Sequence, residues 1–155
     1  MKRLILLLLL AVIAFAGYRY YATSIAPERR YKEFAEEVLH QHYDAAAAMA
    51  EGLSASDVAR AGTQERIGAG PPMFQTLFPS RFEVTSRETA PDGALVLHAV
   101  QTVLFNPAGV ESAVRPAMYA TMTQTVTLRK TAGGWKVAAF ENKFGKMDSA
   151  RGARP

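Results

Sequence analysis

Thirteen consecutive apolar residues, Leu4 to Ala16, follow Met1-Lys2-Arg3, and no polar side chain interrupts the run on any face. A helix that is apolar all round has no side to turn toward water, so the segment belongs in a membrane or in the export machinery. Two fates fit it. Ala14-Phe15-Ala16 before Gly17 satisfies the small-x-small rule of a signal peptidase, and the run is shorter than the roughly 20 residues of a full span. Alternatively the helix continues through Tyr18, Tyr20, Tyr21 and Ala22 as an interfacial aromatic belt, with Arg19 reaching outward, and residues 1–22 form a single-pass anchor through residues 4–22. In both cases Lys2 and Arg3 hold the N-terminus in the cytoplasm. The expectation is a cell-envelope protein on the periplasmic side, anchored in the inner membrane or released after Ala16.

A chain of 155 residues holds about one domain beyond this segment. Its formal net charge of +4 first suggests a polyanionic partner. Position removes that suggestion. With Lys2 and Arg3 set aside, and Lys146, Arg151 and Arg154 set against Asp148 at the far end, thirteen bases and thirteen acids remain between Gly17 and Phe144. No basic stripe marks a nucleic-acid surface. The absence of cysteine excludes a disulfide framework, a thiolate nucleophile and a lipobox.

Pro27 and Glu28 open a helix after a short link over Thr23 to Ala26. Tyr31, Phe34, Ala35, Val38, His42, Ala45 and Met49 recur at three- and four-residue steps and share its apolar face. Asp44 reads as the cap of a fresh helical turn, Gly52 as its end, and Ser54-x-x-Asp57 as the opening of another short helix. Gly68 to Pro72 is a loop. From Arg81 the period falls to two: a strand over Arg81 to Thr89, a Pro91-Asp92-Gly93 turn, a strand over Ala94 to Phe105 apolar on both faces, a strand over Val114 to Lys130, and a Gly133-Gly134 hairpin into Trp135 to Phe144. Helices followed by an antiparallel meander give an α+β class, with helices packed on one face of a curved sheet. Residues 145–155 read as a basic disordered tail able to touch anionic lipid.

The run His42-Tyr43-Asp44-Ala45-Ala46 on the opening helix, and the ending Leu128-Arg129-Lys130-Thr131-Ala132-Gly133-Gly134-Trp135-Lys136-Val137, resemble the nuclear transport factor 2-like superfamily of cystatin-like, cone-shaped α+β domains over residues 27–144. The resemblance implies a conical pocket between helix and sheet. Members use it for isomerase or dehydratase chemistry, for small-ligand binding or for pairing proteins, and some sit behind a membrane helix in secretion channels.

Catalysis in such a pocket needs an acid or base and a polar group for an oxyanion. Tyr31, His42, Tyr43, Asp44, His98, Tyr119 and Glu141 supply the choice, and His98 is the candidate because it alternates with Val96 and Val100. Glu141 shares the parity of Trp135 and Val137. His40 and His42, two apart on a helix, point about 200° from one another and make a poor chelating pair. No phosphate loop, nucleophile elbow or zinc motif is present, and nothing calls for a cofactor or metal. The leading expectation is a non-enzymatic envelope domain that binds a partner protein or a small apolar ligand through Tyr31, Met73, Phe74, Phe78, His98 and Tyr119, with a homodimer as one partner state. Its alternatives are an isomerase or dehydratase using His98 with Tyr31 or Tyr119, and an inner-membrane component of a secretion apparatus.

Overall fold

The computed structural model describes residues 2–63, 74–76, 80–107 and 118–149. Its first element, α1 (Lys2–Tyr20), passes through a π-helical turn (Tyr21–Ile25) directly into α2 (Ala26–Leu39). The expected link over Thr23 to Ala26 is therefore helical. Pro27 explains the change of pitch: it has no N–H to donate, and its ring crowds the carbonyl four residues back. The helix widens instead of breaking, and the Ala26 N–H donates to the Tyr21 carbonyl five residues earlier.

α2 ends where Gln41 takes a left-handed φ of 63°. α3 (Tyr43–Ala48) then starts with His42 at its N-cap, so Asp44 lies inside the first turn and makes no cap, contrary to the sequence reading. The same break exposes His42 and brings its ring to 6.0 Å from that of His40, which a continuous helix would have kept apart. Before α4 (Ala55–Thr63) the expected capping box is complete: the Asp57 N–H donates to Ser54 Oγ at 3.2 Å and the Ser54 N–H to Asp57 Oδ2 at 3.0 Å. The Ser54 hydroxyl also donates to Asp57 Oδ2, at 2.5 Å, and this bond first, with the Ser54 N–H second, holds the Asp57 carboxyl below its ordinary range. α4 approaches α2 closely at Gly62, where a Cβ would come within 2.9 Å of Val38 Cγ1.

Five antiparallel strands follow: β1 (Phe74–Thr76), β2 (Arg81–Thr89), β3 (Leu95–Pro107), β4 (Met118–Thr131) and β5 (Gly134–Ser149). β3, β4 and β5 form a meander, and β1 and β2 both pair with the free side of β3. Helices α2 to α4 cover one face. Tyr31, Phe34, Ala35 and Val38 of α2 and Val58 of α4 pack there on Leu95, Leu97 and Ala99 of β3, Val126 and Leu128 of β4, and Val137 and Phe140 of β5. Phe34 meets Phe140 edge to face at 5.1 Å and Tyr31 meets Phe82 likewise at 5.5 Å.

Two departures from the sequence reading matter in β5. Opposite Thr127 and Leu128 the register slips, leaving Ala138 as an extra residue in β5. That bulge reverses the parity from Ala139 to Phe144, until a second slip opposite Thr121 and Met122 leaves Gly145 as another extra residue. Val137 and Phe140 both face the helices, while Glu141 is exposed and pairs across from Thr125 on the other face, away from the side its sequence parity assigned. β5 also runs five residues past Phe144, pairing through Ser149 with the start of β4, so residues 145–149 are strand rather than tail. Residues 150–155 lie outside the described residues.

Candidate functional site

The helix-covered face of the sheet is the place where the sequence reading put a pocket. It is filled by the protein's own side chains. Leu97, Val126, Leu128, Val137, Tyr31 and Phe34 are all fully buried there. In their midst sits a polar cluster that alternation places on this face: Gln101 follows Leu97 and Ala99 along β3, and Gln124 precedes Val126 along β4. The Tyr31 hydroxyl donates to Gln124 Oε1, and Gln124 Nε2 donates to Gln101 Oε1 at 2.7 Å and to Asn142 Oδ1 at 3.1 Å. Gln101 Nε2 in turn donates to Ser80 Oγ at 2.9 Å, and the Ser80 N–H reaches Glu36 Oε1 of α2 at 2.9 Å.

This chain of donors ties α2 to β3, β4 and β5. Among the described residues no buried side-chain nitrogen or oxygen is left without a partner. A ligand site holds polar groups in reserve for its ligand, whereas these groups satisfy one another, which makes the cluster a closed structural network. Burial pushes the Tyr31 hydroxyl well above its ordinary range, so it stays a protonated donor and is no candidate base.

That shift has a pH signature. An unfolded tyrosine ionises near pH 10, whereas folded Tyr31 keeps its proton to higher pH, so stability present below about pH 10 is lost as pH rises beyond it. Urea midpoints measured from about pH 9 to about pH 11 are expected to fall, with a slope contribution from Tyr31 of up to about 1.4 kcal/mol per pH unit. Tyr31→Phe should lose that part of the slope; a variant with the wild-type slope would contradict the assignment.

The other predicted site residues do not gather around Tyr31. His98 pairs with Thr125 across β3 and β4, and both lie on the face opposite the helices, where His98 Nδ1 is 3.2 Å from Thr125 Oγ1. Tyr119 shares that outer face but lies opposite Leu104, six positions along the sheet from His98, or about 20 Å. His98 and Tyr31 are thus separated by the sheet itself, and neither tyrosine forms a catalytic pair with His98. Phe74 is in β1, where its backbone pairs with Pro107. Met73 and Phe78 lie outside the described residues. His42 Nδ1 is taken by Glu37 Oε2 at 2.8 Å and His40 Nδ1 by the Glu36 carbonyl at 2.9 Å. Among the described residues no three histidine or acidic side chains converge as a metal would need.

A groove of about 320 Å³ does open at the sheet edge, between Asp57, Arg60 and Ala61 of α4 and Phe140 to Lys143 of β5. Its lining carries both charges and a single large apolar side chain, a poor match to an apolar ligand. Beside it, among the described residues, β5 pairs with β4 on one side, and on the other its backbone is met at Val137 alone, through the Glu51 N–H at 2.8 Å and the Met49 carbonyl at 3.1 Å. Among the described residues, no backbone pairs with the β5 edge beyond Val137, where α4 flanks Phe140 to Lys143 across the groove, and no element is laid over the outer face. No protein-family model matches the chain, and no curated protein matches it.

Proposed function

We propose that this chain is a non-enzymatic envelope protein, tethered by α1, whose α+β domain lies outside the cytoplasm and works by binding a partner protein. One observation carries the tether. Every large apolar side chain from Ile5 to Phe15 is more than half exposed, yet this helix continues without a break into α2, the helix that packs the domain core. Apolar surface on that scale is costly in water and at home in lipid. The continuity favours the retained anchor over the cleaved signal, because Ala14-Phe15-Ala16 lies inside a helix and a peptidase needs extended backbone. Lys2 and Arg3 supply the orientation.

The closed network beneath the helices favours a protein partner over a small ligand, and the placement of His98 removes support from the isomerase or dehydratase reading. The outer sheet face is uncovered and the β5 backbone is unpaired beyond Val137 among the described residues, and both suit a protein partner better than a small molecule. Pairing proteins is also among the uses that the resemblance to nuclear transport factor 2-like domains implies.

The test has two readouts. A C-terminal alkaline phosphatase fusion should be active and a C-terminal green fluorescent protein fusion dark; the reverse pattern would place the domain in the cytoplasm. Photo-crosslinkers at Thr123 on the outer face and Lys143 on the β5 edge, both exposed, should give a discrete adduct in cells. Adducts at neither position would sink the binding role.

A further inference from the structure

The carbonyl that Pro27 strands is the one that the far end of the sheet reaches. In the π-helical turn the Ala22 carbonyl should accept from residue 27, but Pro27 has no N–H. Trp135 Nε1 donates to that oxygen at 2.9 Å. One more side chain of the sheet grips the same turn: Arg87 lies 3.4 Å from the Ser24 carbonyl while pairing with Glu28, and within the turn Thr23 Oγ1 donates back to the Arg19 carbonyl at 2.8 Å. The junction between anchor and domain is thus clamped by β2 and by the β4–β5 hairpin.

The clamp also fixes which end of the domain meets the bilayer. Along α2 from the junction outward, β2 is met first at Arg87 beside Ser24 and Glu28, then at Phe82 beside Tyr31, and its approach ends at Ser80 beside Glu36. β4 and β5 behave alike, with Trp135 at Ala22 and Gln124 at Tyr31. The strands therefore run away from the anchor along α2. Taken as a span, Leu4 to Tyr21 covers about 27 Å at 1.5 Å per residue, close to the thickness of the hydrocarbon core. Ala22 then falls in the headgroup layer, and Trp135, bonded to it, falls there too. Lys130 sits directly across from Trp135 in the ladder, on the same face, exposed and with no acidic partner among the described residues.

Resting on the anchor reading, we propose that the tip of the β4–β5 hairpin is a second membrane contact, seating the domain on the phospholipid headgroup layer beside its own anchor through Trp135 and Lys130. Tryptophan, an apolar ring with one N–H, suits that layer, and the ammonium of Lys130 pairs with lipid phosphate. The C-terminal end of β5 lies at the opposite end of the sheet. Met118, paired with Ser149, is twelve residues along β4 from Lys130, about 40 Å, so a lipid contact by Lys146 does not fit this orientation.

Trp135 is the protein's single tryptophan, so the native chain reports on itself. The full chain would be reconstituted in phosphatidylcholine–phosphatidylglycerol vesicles carrying a nitroxide either on the headgroup or at the end of the acyl chain. Tryptophan emission should be quenched several-fold more by the headgroup label, and Lys130→Glu should weaken that quenching while the protein still floats with the vesicles. Flotation with emission that responds to aqueous acrylamide and to neither lipid label would overturn the proposal and leave the anchor standing. Loss of flotation would remove the anchor and the proposal together.

Discussion

Replacing Gln124 with leucine is expected to destabilise the domain by about 3–5 kcal/mol, because three partners lose a bond at once and two of them, Tyr31 and Gln101, are fully buried. The Tyr31 hydroxyl loses its acceptor, and Gln101 Oε1 and Asn142 Oδ1 lose their donor. Leucine recovers some apolar burial, roughly 1–2 kcal/mol, which is smaller than the cost of the orphaned groups. The double replacement Tyr31→Phe with Gln124→Leu should cost less than the sum of the single changes, since the phenylalanine no longer carries a stranded hydroxyl. Urea denaturation of the four proteins measures this coupling. Strict additivity would mean that the network is not the connection between α2 and the sheet described here.

The second large effect concerns α1. Aspartate at the centre of a membrane span costs about 2.5–3.5 kcal/mol per residue, so Leu9→Asp with Val12→Asp should cost about 6 kcal/mol or more of insertion free energy and move the protein out of the membrane fraction. Thermal unfolding of the domain should be unchanged, since Leu9 and Val12 are each more than half exposed and lie outside the core cluster. A protein that stays in the membrane pellet would have to be held by something other than α1. A domain that melts early would mean that α1 packs on it.

The sequence made the order of elements legible because their signals are local. The Ser54–Asp57 box, the Gly133-Gly134 turn and the period-two strands each depend on a few neighbouring residues, and each is present. The departures come from longer-range causes. β3 is apolar on both faces, so its pattern does not say which side the helices take, and His98, a pocket candidate by its alternation, lies on the outer face. Nothing in Val137-Ala138-Ala139 marks a bulge, so Glu141 was placed by a parity that the extra residue cancels. Pro27 correctly signalled a disturbance, but the helix absorbed it by widening where a link was expected.

Gln101 and Gln124 were the clearest missed signal. Each occupies an inward position in an apolar alternation on neighbouring strands, and two such glutamines can satisfy each other only from the same face. What made them easy to pass over is that glutamine is ordinarily a surface residue. The sequence offers their partner Tyr31 as a ligand-binding side chain, whereas the bond to Gln124 ties it into the scaffold.

An anchored domain and a released one differ in covalent structure, so the most direct measurement is the intact mass and N-terminal residue of the protein isolated from cells. The account predicts one species, in the membrane fraction, that retains residues 1–16 ahead of Gly17. A soluble species beginning at Gly17 would contradict it.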